Sequence, residues 1–98
     1  MNNLSNKQIR HLRGLAHELK PVVIIGDKGL TQSVIDEISN ALESHELIKV
    51  KVRAEEREDR QHMIETMTRK TGSEHVQRVG HIVTLFKRNK KAKIALPK

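Results

Sequence analysis

Four consecutive β-branched residues, Val22-Val23-Ile24-Ile25, stand between Pro21 and the tetrapeptide Gly26-Asp27-Lys28-Gly29. Two heavy atoms on Cβ favour extended backbone, and the run has no polar alternation, which predicts a strand covered on both faces. Pro21 disfavours helical geometry at Lys20 and closes any helix before it. The glycines stop the strand abruptly. Beyond Thr31, an N-cap residue type, Val34, Ile35, Ile38, Ala41 and Leu42 recur at helical spacing, so a second helix is expected to about His45. A strand that breaks at Gly-x-x-Gly and reopens as a helix directs the chain to an α/β architecture.

Upstream, Ser5-Asn6-Lys7-Gln8 has the form of a capping box and should start a first helix. Ile9, Leu12, Leu15, Ala16 and Leu19 form its apolar stripe, with Lys7, Arg10, Arg13, His17 and Lys20 on the other face. Residues 47–53 alternate, placing Ile48, Val50 and Val52 inward and Lys49, Lys51 and Arg53 outward. Residues 55–70 read as a third helix, acidic in its first turn and basic in its last, with Gly72 as C-cap. Residues 75–79 and 81–87 are strands separated by a turn or bulge at Gly80. The order α-β-α-β-α-β-β predicts a four-stranded mixed sheet with three helices. Its first two strands should be parallel and its last two an antiparallel hairpin. Because Lys49 and Lys51 face outward, one sheet face should be only partly covered, by the first helix.

Charge narrows the function classes. The 98 residues carry 19 Lys and Arg against 12 Asp and Glu, a net charge of +7. Lys87, Arg88, Lys90, Lys91, Lys93 and Lys98 fall in a stretch with no acid, leaving residues 1–86 almost neutral. Within that body Lys7, Arg10, Arg13, Lys20 and Lys28 cluster early, whereas Asp36, Glu37, Glu43 and Glu46 cluster in the second helix and just beyond it. One basic and one acidic side is the pattern of an oriented nucleic-acid binder. The division expected is one domain over residues 1–88 and a basic tail over 89–98, disordered unless RNA holds it. Without cysteine there is neither a disulfide framework nor a thiolate metal site. No stretch approaches a membrane span, so a cytoplasmic location and no membrane partner are expected.

Gly26, Asp27, Lys28, Gly29 and Thr31 are the candidate phosphate site. Backbone amides and a positive helix terminus converge there, Lys28 adds charge, and glycine removes the Cβ that would hold a nucleic-acid backbone away. The spacing alone also describes many ordinary βα turns. Neither Gly-x-x-x-x-Gly-Lys-Ser/Thr nor Gly-x-Gly-x-x-Gly is present, and no catalytic pairing is indicated by spacing. No catalytic residue, cofactor or small-molecule substrate is therefore expected. The six histidines lack i, i+3 or i+4 helical spacing, so no metal is expected either. With one Phe and no Trp or Tyr, stacking of bases on aromatic rings is not available, and Phe86 is read as core. Contacts to phosphates and 2′-hydroxyls remain, meaning recognition of folded RNA by shape.

Four blocks, Leu15-Ala16-His17-Glu18-Leu19-Lys20-Pro21-Val22-Val23, Ile25-Gly26-Asp27-Lys28-Gly29-Leu30-Thr31, Glu46-Leu47-Ile48-Lys49-Val50-Lys51-Val52 and Val79-Gly80-His81-Ile82-Val83-Thr84-Leu85-Phe86-Lys87-Arg88, together resemble the CRM domain, the chloroplast RNA splicing and ribosome maturation module. The resemblance spans roughly residues 5–88. It implies a fold similar to the C-terminal domain of the third bacterial translation initiation factor, with a loop analogous to that of KH domains. It also implies a stand-alone bacterial member associated with precursors of the large ribosomal subunit. Where the family commonly has Gly-Arg before the last strand and a Tyr within it, this chain has Gly80-His81 and Phe86. The function expected is binding of structured ribosomal RNA through the loop and the first helix. The tail residues Lys87, Arg88, Lys90, Lys91 and Lys93 would add non-specific affinity. Alternatives are a general structured-RNA chaperone, an enzyme binding a phosphorylated small substrate at the loop, and a protein adaptor using the acidic second helix.

Overall fold

Ser5 opens the first helix as the sequence requires. In the computed structural model, which describes residues 4–90 and 93–97, its hydroxyl accepts from the Gln8 amide and Gln8 Oε1 accepts from the Ser5 amide. The elements that follow are α1 (Asn6–Ala16), β1 (Pro21–Ile25), α2 (Gln32–His45), β2 (Leu47–Val52), α3 (Arg57–Thr71), β3 (Glu74–Val79) and β4 (Ile82–Phe86). The four strands form one mixed sheet in the order β1-β2-β4-β3, with β1 parallel to β2 and the other two pairings antiparallel. The predicted α/β fold is thus borne out, including the parallel first pair and the closing hairpin.

Register sorts the side chains onto two faces. Ile48 lies opposite Leu85 and Val50 opposite Val83, and with Val23, Ile25 and Val52 they meet Ile35, Ile38 and Leu42 of α2 and Ile64 and Met67 of α3. The other face is divided. Leu12 and Ala16 of α1 cover Leu47, Val76 and Phe86 at one end, and among the described residues no helix lies on the remainder of that face. This is the partial cover expected of α1.

Three expectations require correction. β1 is an edge strand with Val22 and Ile24 half exposed, at 50% and 53%, because α1 stops short of it. Its unbroken apolar run therefore marks one buried face and one bare face. The helix itself ends at Ala16, four residues before Lys20: the amides of His17 and Leu19 bond back three residues, to Gly14 and Ala16, and tighten the chain out of helical geometry. Leu15 and Leu19 consequently line an open apolar groove with Val22, Leu47 and Ile94 rather than a core. α3 starts at Arg57 rather than near residue 55; Arg60 Nη1 donates to the carbonyls of Ala54 and Glu55 and ties the entry loop to the first turn.

Glu46 organises the chain's end. It caps α2 at φ 63° and ψ −40°, a backbone region L-residues seldom enter, and its side chain is fully buried. The carboxylate accepts from the amides of Asn89 (2.8 Å), Lys93 (2.7 Å) and Ile94 (2.8 Å), with Arg88 Nη1 3.8 Å away. Asn89 Nδ2 and Lys93 Nζ donate to the Glu43 and Ser44 carbonyls, groups that have no partner within the helix. The described part of the tail is thus anchored, and Gln8 Nε2 holds the Pro97 carbonyl at its far end. Burial pushes the Glu46 carboxyl up, but the three amides and Arg88 outweigh it, and the group titrates below its ordinary 4.5. A depressed carboxylate contributes stability above its unfolded value and loses it as pH falls through the folded one. Amide exchange at Asn89, Lys93 and Ile94 should therefore stay slow from neutral pH down past 4.5, then accelerate together on further acidification, relative to core amides such as Val50.

Candidate nucleic-acid interface

At 100° per residue, Arg13 sits about 60° from the buried Ala16 and 100° from Leu12 on α1, beside the buried stripe, whereas Arg10, about 120° and 160° from the same two, lies nearly opposite it as the sequence pattern suggested. Both border the bare end of the sheet. Arg13 Nε donates to Gln77 Oε1 of β3 at 2.9 Å. His17, the residue capping α1, is exposed at the same edge. Lys7 is exposed in the first turn, and Lys20 is exposed in the linker before β1, off the helix.

The uncovered sheet continues this basic surface. Lys49, Thr84 and Gln77 form one row across β2, β4 and β3, and Ile24, Lys51, Ile82 and Val79 form the next across all four strands. Arg53 follows in the alternation, exposed, with its amide on the Ile25 carbonyl at 3.0 Å, directly beside the loop. Two concavities lie over these rows. A groove of about 710 Å³ is bounded by Arg10, Arg13, Gly14, His17, Gln77 and Val79. A deeper one of about 290 Å³ has His17, Lys49, Gln77, Val79, Ile82 and Thr84 as its lining. They share His17, Gln77 and Val79 and form one trough.

At the far end of β1, the Gly29 amide donates to the Gly26 carbonyl at 3.0 Å, closing a tight turn with Asp27 and Lys28 exposed at its tip. The two glycines serve different needs. Gly29 holds φ 70°, a conformation that penalises any Cβ, whereas Gly26 has ordinary φ and open space where a Cβ would stand. Thr31 is half buried and its hydroxyl accepts from the Val34 amide at 3.2 Å, so its side chain caps α2.

The structure therefore brings Arg10, Arg13 and His17 together at one end of an uncovered strip, with Lys49, Lys51 and Arg53 along it and Lys28 at the other end. β1, about 16 Å long at some 3.3 Å per residue, sets the separation. Among the described residues none of these cations has a carboxylate within ion-pair distance; the pair present is Arg88–Glu46. The acidic residues Asp36, Glu37 and Glu43 are exposed on α2, across the sheet. Lys49, Lys51, Arg53 and Gln77 were not among the expected site residues. The signal for the first three was present in their shared outward parity.

Of the described tail cations, Lys87, Arg88 and Lys93 are engaged away from the strip. Arg88 bonds the Ile94 carbonyl, faces Glu46 and lies 5.7 Å from the Phe86 ring centre. Lys93 is engaged with α2, Lys87 lies half buried against Gly72, and Lys90 is exposed. Lys91 lies outside the described residues. Among the described residues no group of three or more His, Asp or Glu could hold a metal ion, and no helix is long and apolar enough to cross a membrane.

A protein of Haemophilus influenzae, named RNA-binding protein, is 50% identical over 98 residues, covering 100% of this chain and 99% of the relative. A Bacillus subtilis relative is 39% identical over 95 residues, covering 96% of this chain and 99% of its own length. The solution structure of a Staphylococcus aureus protein, 37% identical, superposes with a TM-score of 0.82 over 96% of this chain and 99% of that one. The family model for the CRS1/YhbY (CRM) domain matches residues 4–87, and the chain belongs to that family.

Proposed function

We propose that this protein binds structured RNA, not as an enzyme, and that it acts in the cytoplasm in assembly of the large ribosomal subunit. The observation that carries the reading is the strip of cations, without carboxylate partners among the described residues, from α1 across the bare sheet to the Gly26–Gly29 turn. Neighbouring like charges repel, and an anionic polymer relieves that repulsion while releasing its own counterions. The name of the Haemophilus relative supports RNA as the partner. Large-subunit precursor RNA as the target rests on the family resemblance, and the strip supports an extended, folded segment. A strip of this length spans a few nucleotides of backbone, so helix and loop can hold successive phosphates.

Gly26→Asp is the sharper test of the loop. Ordinary φ and open space let the fold accept it, whereas Gly29→Asp would add backbone strain of about 1 kcal/mol and confuse binding with stability. Gly26→Asp should weaken binding of an RNA hairpin roughly tenfold, about 1.4 kcal/mol, with melting temperature almost unchanged, because the new carboxylate meets phosphate. Lys28→Ala should act in the same direction. Equal affinity for wild type and both variants would remove the loop from the interface. Crosslinking the protein to RNA in cells and sequencing the bound fragments tests the target: enrichment of large-subunit precursor is expected, and an even spread over structured transcripts would favour a general RNA chaperone.

A further inference from the structure

The geometry points to the deeper part of the trough as a pocket for one unpaired nucleotide of the bound RNA, its base carrying a carbonyl at the position where adenine and cytosine carry an amino group, as guanine (O6) and uracil (O4) do. This inference rests on the RNA-binding reading and refines it, since the absence of stacking aromatics had suggested recognition by shape alone. The row Lys49-Thr84-Gln77 crosses three adjacent strands, so the outer two side chains rise from positions about 10 Å apart, at some 4.8 Å between strands. Ile82 and Val79 in the next row provide an apolar boundary for the 290 Å³ space, and the exposed His17 also lines it, supplying a flat ring on which a base can stack.

The polar walls are biased toward donors. Arg13 Nε is a donor only, so its 2.9 Å contact fixes Gln77 with Oε1 toward α1 and leaves the amide nitrogen, which has no partner among the described residues, to donate elsewhere. Lys49 on the opposite wall also only donates. Guanine O6 and uracil O4 accept at the position where adenine and cytosine present an amino donor. Arg10 and Arg13, on the shared rim of the shallower groove, are placed for the phosphate of the same nucleotide.

Fluorescence anisotropy on four hairpins tests this: one fully paired, and three of the same stem with a single bulged uridine, cytidine or adenosine. Wild type should bind the uridine bulge about tenfold more tightly than the paired stem and more tightly than the other two bulges. The variant Lys49→Met/Gln77→Met keeps the side-chain volume and removes both donors. It should lose the uridine preference while its melting temperature changes little, and its binding of the paired stem should weaken only by the fewfold that the loss of one strip cation costs, the same factor as for the cytidine and adenosine bulges. Equal wild-type affinity for all four hairpins, or an undiminished uridine preference in the variant, would overturn the pocket while leaving RNA binding intact. Binding to none of the hairpins would overturn the RNA-binding reading itself.

Discussion

Glu46→Ala is expected to be among the most destabilising single changes outside the apolar core, lowering unfolding free energy by about 3 kcal/mol. Three backbone amides donate to this one buried carboxylate, and a buried donor left unsatisfied costs roughly 1–3 kcal/mol. The full sum will not be realised, because a released tail can turn its amides to water; the loss then comes from Ile94 and Leu96 leaving the cluster around Leu12 and Phe86, and from the uncapped end of α2. Alanine also inherits the φ of 63° without any compensating contact. Glu46→Gly separates these contributions: it relieves the backbone while still removing the carboxylate, and should recover about 1 kcal/mol of the loss. Denaturant melts of both variants measure the difference. A Glu46→Ala midpoint matching wild type would show that the tail contributes nothing to the fold.

The second large effect belongs to the strip. Replacing Arg10, Arg13, Lys49 and Lys51 together by alanine should lower affinity for a structured RNA on the order of a hundredfold at moderate salt. It should also reduce the slope of log affinity against log salt by about three, at roughly 0.7–0.9 per phosphate contact. Total charge is not the cause proposed, and a control distinguishes the two. Arg57, Arg69 and Lys70 are also exposed cations, but they lie on α3, which packs on the other side of the sheet. Their joint replacement should change affinity only a fewfold and leave the slope within one unit of wild type. Similar losses per charge in both variants would mean that net charge rather than position drives binding.

Much of this frame was legible before the structure. The capping box at Ser5, the breaks at Pro21 and Gly26, Gly72 in the left-handed region at the end of α3, and the alternation in β2 are local rules with local outcomes. What escaped depended on neighbours distant in sequence. The apolar run in β1 cannot announce that α1 will end before reaching it, and so could not distinguish a central strand from an edge. Leu15 fits the helical period, yet at 100° per residue it lies about 60° beyond Leu12, away from Ala16, and is left half exposed. Glu46 appears in sequence as one of several acids around the second helix; its burial is created by amides some 45 residues further on. The candidate site divides in the same way. The loop and Arg10, Arg13 and His17 could be named from motif and helix face, whereas Gln77 enters only because a bulge between His75 and Gln77 sets which residues of β3 share the face with Lys49.

The central claim is positional, and titrating isotope-labelled protein with an unlabelled RNA hairpin while following backbone amide resonances tests it most directly. Shifts should concentrate at Arg10, Arg13 and His17, along residues 49–53, at Gln77 and through Gly26–Gly29, while the outer face of α2 around Asp36, Glu37 and Glu43 stays unmoved. Shifts confined to α2 and α3, with the uncovered sheet face silent, would contradict it.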